Sequence, residues 1–157
     1  IVEALTTGMH YALCSDAGTP GISDPGFLLV RACVEVGVEV SCLPGPTAFV
    51  PALVISGIPC ERFSFEGFLP HKKGRQKKLQ ALLEEDKTIV LYESPHRIIK
   101  LLRELAGFDC GERKIAVCRE LTKLHEEIIR GTVNEALVHF SSKSPKGEFV
   151  VVLEGAS

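Results

Sequence analysis

The chain has 157 residues, 45% of them hydrophobic, enough for one substantial core or two small ones. Its formal net charge of −2 supplies no global basic field, so a nucleic acid would have to be met by a local patch, and no apolar run approaches the length that spans a bilayer. Six scattered cysteines (Cys14, Cys33, Cys42, Cys60, Cys110, Cys118) form no C-x-x-C pair, which argues against a zinc site or disulfide framework and for small buried hydrophobes in a reducing cytosol.

Residues 1–7 read as a helix stopped at Gly8, and its uncapped start, on Ile rather than Met, reads as that of a fragment. Met9 to Ser15 is expected to be a strand. The next twelve positions, Ser15 to Gly26, hold ten residues of Gly, Pro, Ser, Thr or Asp and must be a loop. Asp24 followed by Pro25 predicts an N-cap and first helical position, with Phe27, Leu28, Val30, Arg31, Val34 and Glu35 following and Gly37 as the stop. Val38 to Leu43 is apolar enough for a strand covered on both faces. Pro44-Gly45-Pro46 breaks regular structure, and Thr47 is expected to cap a helix running to Gly57.

Two strand–loop–helix units in succession predict a parallel α/β sheet. Gly57-Ile58-Pro59 is the expected domain boundary, dividing the chain into residues 1–58 and 59–157. Beyond it, Arg62 to Phe68 alternates as a strand, and His71 to Lys78 is the one dense basic run, leading into a short helix with Leu79, Leu82 and Leu83. Lys87 to Tyr92 predicts a buried strand. Glu93-Ser94-Pro95 opens a helix with Ile98, Ile99, Leu101, Leu102 and Leu105 at helical spacing. Lys114 to Arg119 and Glu127 to Arg130 read as a strand pair, Thr132 and Glu135 as a capping box starting a helix to Phe140, and Glu148 to Leu153 as a last strand. The second half therefore predicts a mixed sheet.

The Ser15–Gly26 loop lacks G-x-x-x-x-G-K-[ST] and G-x-G-x-x-G and contains no Lys or Arg, which disfavours a phosphate or dinucleotide site. A ligand held by backbone groups with little negative charge suits it better, such as a nucleoside or an adenosyl sulfonium. The bland reading is a tight connection only. A second loop, Pro44 to Ala48, ends the next expected strand, and two such loops side by side are how an open α/β sheet makes a crevice at its carboxyl edge.

Ala17-Gly18-Thr19-Pro20, then Pro44-Gly45-Pro46-Thr47-Ala48, then Gly57-Ile58-Pro59 resembles the tetrapyrrole methylase superfamily, whose members usually carry Gly-Asp-Pro, Pro-Gly-x-Thr/Ser-Ala and Gly-Ile-Pro in that order. Gly18-Thr19-Pro20 stands where most members have Gly-Asp-Pro. With Gly67-Phe68-Leu69-Pro70, Tyr92-Glu93-Ser94-Pro95-His96-Arg97, Arg119-Glu120-Leu121-Thr122-Lys123 and Lys146-Gly147-Glu148-Phe149, it is similar to one branch, the small-subunit rRNA cytidine 2′-O-methyltransferases. The resemblance runs essentially end to end.

It implies a two-domain α/β architecture of the class III S-adenosylmethionine methyltransferases with the N-terminal domain incomplete. It implies S-adenosylmethionine between the domains, contacted by Gly18, Thr19, Pro20, Ile22, Thr47, Ala48, Tyr92 and Glu93, with Glu148 and Phe149 closing over the adenine. It implies rRNA or the assembled small subunit as partner, a homodimer in the cytoplasm, and neither membrane nor metal. A ribose 2′-hydroxyl must lose its proton as the methyl arrives, and Glu93 and Glu120 are the candidate bases. Glu93 reads equally as a neighbour of a helix start, Glu120 as a partner for Arg119, and Tyr92 as strand packing.

Lys72, Lys73, Arg75, Lys77 and Lys78 would neutralise RNA phosphates, with Arg97, Arg119 and Lys123 extending the track; the plain alternative is a solvated basic helix start. A tetrapyrrole C-methyltransferase and a non-catalytic cofactor-binding module remain the competing readings.

Overall fold

In the computed structural model, which describes residues 1–156, the chain packs as two compact units, Ile1–Thr47 and Ala48–Ser157. The division falls before the expected boundary after Ile58, because residues 48–58 pack with the second unit.

The first unit holds α1 (Val2–Thr6) and α2 (Phe27–Glu35). The segments 9–15 and 38–43, expected as strands, form no strand among the described residues. A strand exists only where a neighbour completes its ladder, and a lone pair of short segments is too weak to persist. Their apolar side chains accordingly stand exposed, Tyr11, Leu13 and Leu43 among them. Gly26, with φ 156°, takes the N-cap place of α2 expected of Asp24, and no side chain caps it.

The second unit carries the core. A five-stranded sheet of β1 (Phe63–Phe68), β2 (Thr88–Glu93), β3 (Lys114–Arg119), β4 (Glu127–Thr132) and β5 (Phe149–Leu153) runs in the order β1-β2-β5-β3-β4. The β1–β2 pair is parallel and the remaining pairs are antiparallel, so the sheet is mixed as expected. On one face, Val90, Ala116, Cys118, Val150 and Val152 pack with Ala52 and Leu53 of α3 (Phe49–Ser56). Ala48, not Thr47, is the N-cap of α3, and no side chain caps it. On the other face, Ile89, Leu91, Ile115, Val117, Val151 and Leu153 meet α4 (Arg75–Leu83), α5 (Ile98–Leu105) and α6 (Val133–Ser141). Alternate strand residues serve alternate faces, which is why β2 and β5 read as continuous apolar runs.

The helix spacing seen in the sequence is realised in α5, where Ile98, Leu101, Leu102 and Leu105 are all fully buried. The Thr132–Glu135 capping box of α6 forms in both directions. The cysteines divide evenly: Cys33, Cys110 and Cys118 are buried, while Cys14, Cys42 and Cys60 are exposed, contrary to the expectation that most are buried. No described helix is long and apolar enough to cross a membrane.

Candidate functional site

In the first unit the two loops singled out by composition are joined. The Thr19 amide donates to the Pro46 carbonyl at 3.0 Å, and the Thr19 hydroxyl donates to the same oxygen at 3.2 Å. Ser15 closes its own end of the loop by donating its hydroxyl to the Gly18 carbonyl at 2.7 Å. This junction needs glycine at position 18 and is tight at Gly45. Gly18 has φ 85°, and a Cβ there would lie 3.1 Å from the Pro46 oxygen; a Cβ on Gly45 would lie 3.3 Å from the Thr19 hydroxyl. The seam is backbone against backbone, with Gly18 and Ile22 exposed beside it and Thr19 and Pro20 half-buried. The only charged side chains in the loop are Asp16 and Asp24. That donor set fits a neutral or cationic ligand and repels a phosphate, so an adenosyl sulfonium is chemically compatible with it.

The second unit gathers its candidate residues along one edge of the sheet. Phe68 is registered with Tyr92, Glu93 with Phe149, Arg119 with Phe149, and Arg119 with Glu127. The carboxyl ends of β1, β2 and β3 therefore share an edge with the amino ends of β4 and β5. Alternation then separates two residues that sequence put together. Tyr92 lies on the α3 face, edge-on to Phe65 at 5.0 Å and to Phe68 at 5.7 Å. Glu93 lies on the opposite face and is 2% exposed.

Glu93 does not have the setting of a proton acceptor. Its carboxylate takes the Arg97 guanidinium at 2.9 Å, the Arg75 guanidinium at 3.4 Å and the Ser94 amide at 2.8 Å. Arg75, expected among the phosphate contacts, is itself 2% exposed and also bonds Glu104 at 2.8 Å, so its charge is spent inside the protein. Arg97 is mostly buried, donating to the Ser94 hydroxyl and the Leu69 carbonyl. Glu104 carries this network, yet it stands far along the chain from Arg75 and nothing in the sequence signals the pairing.

A second set of charges closes the β3 end. Glu120 and Glu148 exchange main-chain and side-chain hydrogen bonds, the Glu120 amide donating to the Glu148 carbonyl and the Glu148 amide to the Glu120 carboxylate, both at 2.9 Å. Lys123 bridges the two carboxylates at 3.1 and 2.8 Å. The Glu148 backbone bond, followed by Lys123, holds the Glu120 carboxyl below its ordinary range, which makes Glu120 a weak base rather than an activated one. Gly147, with φ 89°, permits the approach: a Cβ there would lie 2.5 Å from the Glu120 side chain. Arg119 donates to the Lys146 carbonyl at 2.6 Å and to Glu127 at 3.3 Å.

Glu127, not singled out in the sequence, also takes His139 at 2.8 Å and Lys143 at 3.0 Å. Burial alone would raise its carboxyl, but the bonds from Lys143, His139 and Arg119 outweigh that and hold it at about 2. Cys118, in mid-sheet, is pushed by burial up to about 11 and is no nucleophile at neutral pH.

Of the eight basic residues expected to meet RNA, Lys72, Lys73, Lys77, Lys78 and Lys123 stand exposed, and of these Lys72, Lys73 and Lys77 make no ion pair among the described residues. Lys78 is drawn to Glu66 at 2.8 Å, and Arg75, Arg97, Arg119 and Lys123 are engaged as described. Phe149 is buried in the helical core, so its side chain is packing and only its backbone lies at the edge.

Comparison with known proteins follows the same lines. Residues 1–137 match the family model described as Tetrapyrrole (Corrin/Porphyrin) Methylases. The chain is 50% identical, over its whole length, to a protein of Synechocystis sp. named Ribosomal RNA small subunit methyltransferase I, of which it covers 57%. It is 46% identical to the Thermotoga maritima protein of the same name, covering 99% of this chain and 69% of that one. Among solved structures, the methyltransferase CobJ superposes over 99% of the chain and 68% of its own with a TM-score of 0.71 at 22% identity. Uroporphyrin-III C-methyl transferase from Thermus thermophilus, solved with S-adenosyl homocysteine, superposes over 86% of the chain and 62% of its own with a TM-score of 0.57 at 17% identity. The α/β methylase fold is thus shared well beyond recognisable sequence identity.

Proposed function

The chain belongs to the tetrapyrrole methylase family, and from that membership we propose that it is part of an S-adenosylmethionine-dependent methyltransferase acting on the ribose 2′-hydroxyl of a cytidine in small-subunit rRNA. The observation that carries the reading is the seam of Thr19 on Pro46, which docks Gly18-Thr19-Pro20 against Pro44–Ala48 with no cationic side chain in the loop. The acceptor is argued from the relatives, 46–50% identical and named for small-subunit rRNA, against 17–25% for the solved structures of the uroporphyrin-III enzyme.

In this reading Gly18, Thr19, Pro20, Ile22, Thr47 and Ala48 hold the cofactor through main-chain groups, and Tyr92 and the backbone of Glu148 and Phe149 are further candidates for cofactor contact. The bound cofactor supplies an electrophilic methyl group on a sulfonium, so the protein's contribution is mainly to position the acceptor in line with it. Glu93 and Glu120 hold loops in place rather than take the hydroxyl proton, since the first is clamped by two guanidiniums and the second is a weakened base. Lys72, Lys73 and Lys77 meet phosphates. The acting form is a cytoplasmic homodimer, and the acceptor is rRNA or the assembled small subunit.

The test is transfer of labelled methyl from S-adenosylmethionine by the full-length protein. The expected product is a 2′-O-methylated cytidine in small-subunit rRNA, recognised by resistance of its 3′ linkage to alkali. Absence of transfer to both free rRNA and assembled subunits, or turnover of a uroporphyrinogen-type substrate instead, overturns the reading.

A further inference from the structure

Two arginines of the basic track expected to meet RNA are turned inward, and they point at the same piece of backbone. Arg75 donates to the Pro70 carbonyl at 3.3 Å, and Arg97 donates to the Leu69 carbonyl at 3.4 Å. Between them lies Glu93, with Glu104 on the far side of Arg75 at 2.8 Å and Gln76 donating to Glu104 at 2.9 Å. Lys100 lies 3.8 Å from Glu104 at the rim. Two guanidiniums and two carboxylates therefore form a neutral set of four, Arg75 and Glu93 buried and Arg97 and Glu104 partly so.

Burying such a set stabilises little, because the cost of removing charges from water consumes most of their attraction, and an apolar cluster of similar volume would do as well. An apolar cluster could not, however, donate to carbonyls. The network ties three elements at one point: the turn after β1 (Leu69 and Pro70), the end of β2 (Glu93), and α5 (Glu104). The segment so held, residues 69–74, carries Lys72 and Lys73 and leads into α4 with Lys77.

We infer that Arg75 and Arg97 are positioning residues, which clamp the 69–74 loop so that Lys72 and Lys73 present their charges to RNA in one fixed arrangement. The inference rests on the RNA-directed reading above for its purpose, but the clamp itself is a property of the loop. A guanidinium is needed for it. Lysine keeps the charge but gathers its donors on one nitrogen, whereas Arg75 reaches Glu104, the Pro70 carbonyl and Glu93 from its Nε, Nη1 and Nη2 in three directions.

The test is R75K, with R97K as the second variant, in the full-length protein. Both keep the net charge, and thermal unfolding by circular dichroism identifies the folded one. The clamp predicts trypsin cleavage after Lys72 or Lys73, mapped by mass, faster by roughly tenfold as the loop opens locally. It also predicts a raised KM for rRNA with the KM for S-adenosylmethionine unchanged, a split that general destabilisation does not produce. A direct phosphate contact predicts the opposite, since lysine replaces arginine on a phosphate: wild-type cleavage and wild-type KM for rRNA in R75K overturn the inference. If the wild-type protein fails to bind or methylate rRNA, the functional reading falls, and the cleavage rates alone still decide whether the loop is clamped.

Discussion

At Gly18 a single hydrogen separates a closed seam from an open one. Its φ of 85° is strained for any residue with a Cβ, and that Cβ would press on the Pro46 oxygen at 3.1 Å, the acceptor of both Thr19 bonds. Gly18→Ala is expected to weaken S-adenosylmethionine binding by roughly tenfold, measured by calorimetry, because the strain and the lost seam fall on the loop proposed to hold the cofactor. Unchanged affinity would remove Gly18 from the site. Glu127 gives a second prediction. Its carboxyl sits at about 2 in the folded protein against an ordinary 4.5, so folding favours the deprotonated form. That contribution is complete above 4.5 and is lost as the pH falls through 2. Denaturant midpoints of wild type and Glu127→Gln should therefore differ at about pH 6 and converge toward about pH 2.5. A gap that stays constant with pH would show that the carboxylate is not the source of the difference.

Elements whose stability is decided by near neighbours in sequence were the legible ones. The α5 stripe of Leu101, Leu102 and Leu105 declares its buried face by spacing alone, and the Thr132–Glu135 box declares the start of α6. Thr132→Ala should cost about 1 kcal/mol, read as a lowered thermal midpoint, since the bond from the Glu135 amide to the Thr132 hydroxyl goes with it while the backbone bond from the Thr132 amide to the Glu135 carboxylate stays. A midpoint unchanged from wild type would mean that packing of Val133, Ala136 and Phe140 alone fixes the helix.

The elements that were misread depend on partners elsewhere. Residues 9–15 and 38–43 have the composition of strands, but a ladder requires a neighbour that local sequence does not specify. The site divides in the same way. The Gly/Pro loops and the basic run were visible as composition, but the seam between the loops is made by Thr19 on Pro46 and not by the paired strand ends that the pattern predicts. That Arg75 and Glu93 point into the helical face was invisible, because it depends on strand alternation at Glu93 and on Glu104 arriving from α5. Charge alone cannot distinguish a guanidinium that meets phosphate from one that holds a loop.

Taken whole, a chain of net charge −2 does not attract a polyanion at long range, and at about 0.1 M salt charges more than roughly 10 Å apart scarcely feel one another. In the proposed reading, this chain's share of RNA binding rests on exposed cations without an ion pair, and within the basic run the structure leaves Lys72, Lys73 and Lys77 in that state while drawing Arg75 inward and Lys78 toward Glu66. Each cation that neutralises a phosphate releases a counterion, so the slope of log affinity against log salt counts them. Replacing Lys72, Lys73 and Lys77 together by glutamine in the full-length protein should lower the magnitude of that slope by about two to three. S-adenosylmethionine affinity should be unchanged, because the loop proposed to hold the cofactor, residues 15–26, contains none of the three. The loss of affinity should be large at low salt and shrink as salt rises, since the variant lacks the term that salt would have weakened. A slope equal to that of wild type would mean that the basic run is only a solvated helix start and that RNA is met elsewhere on the molecule.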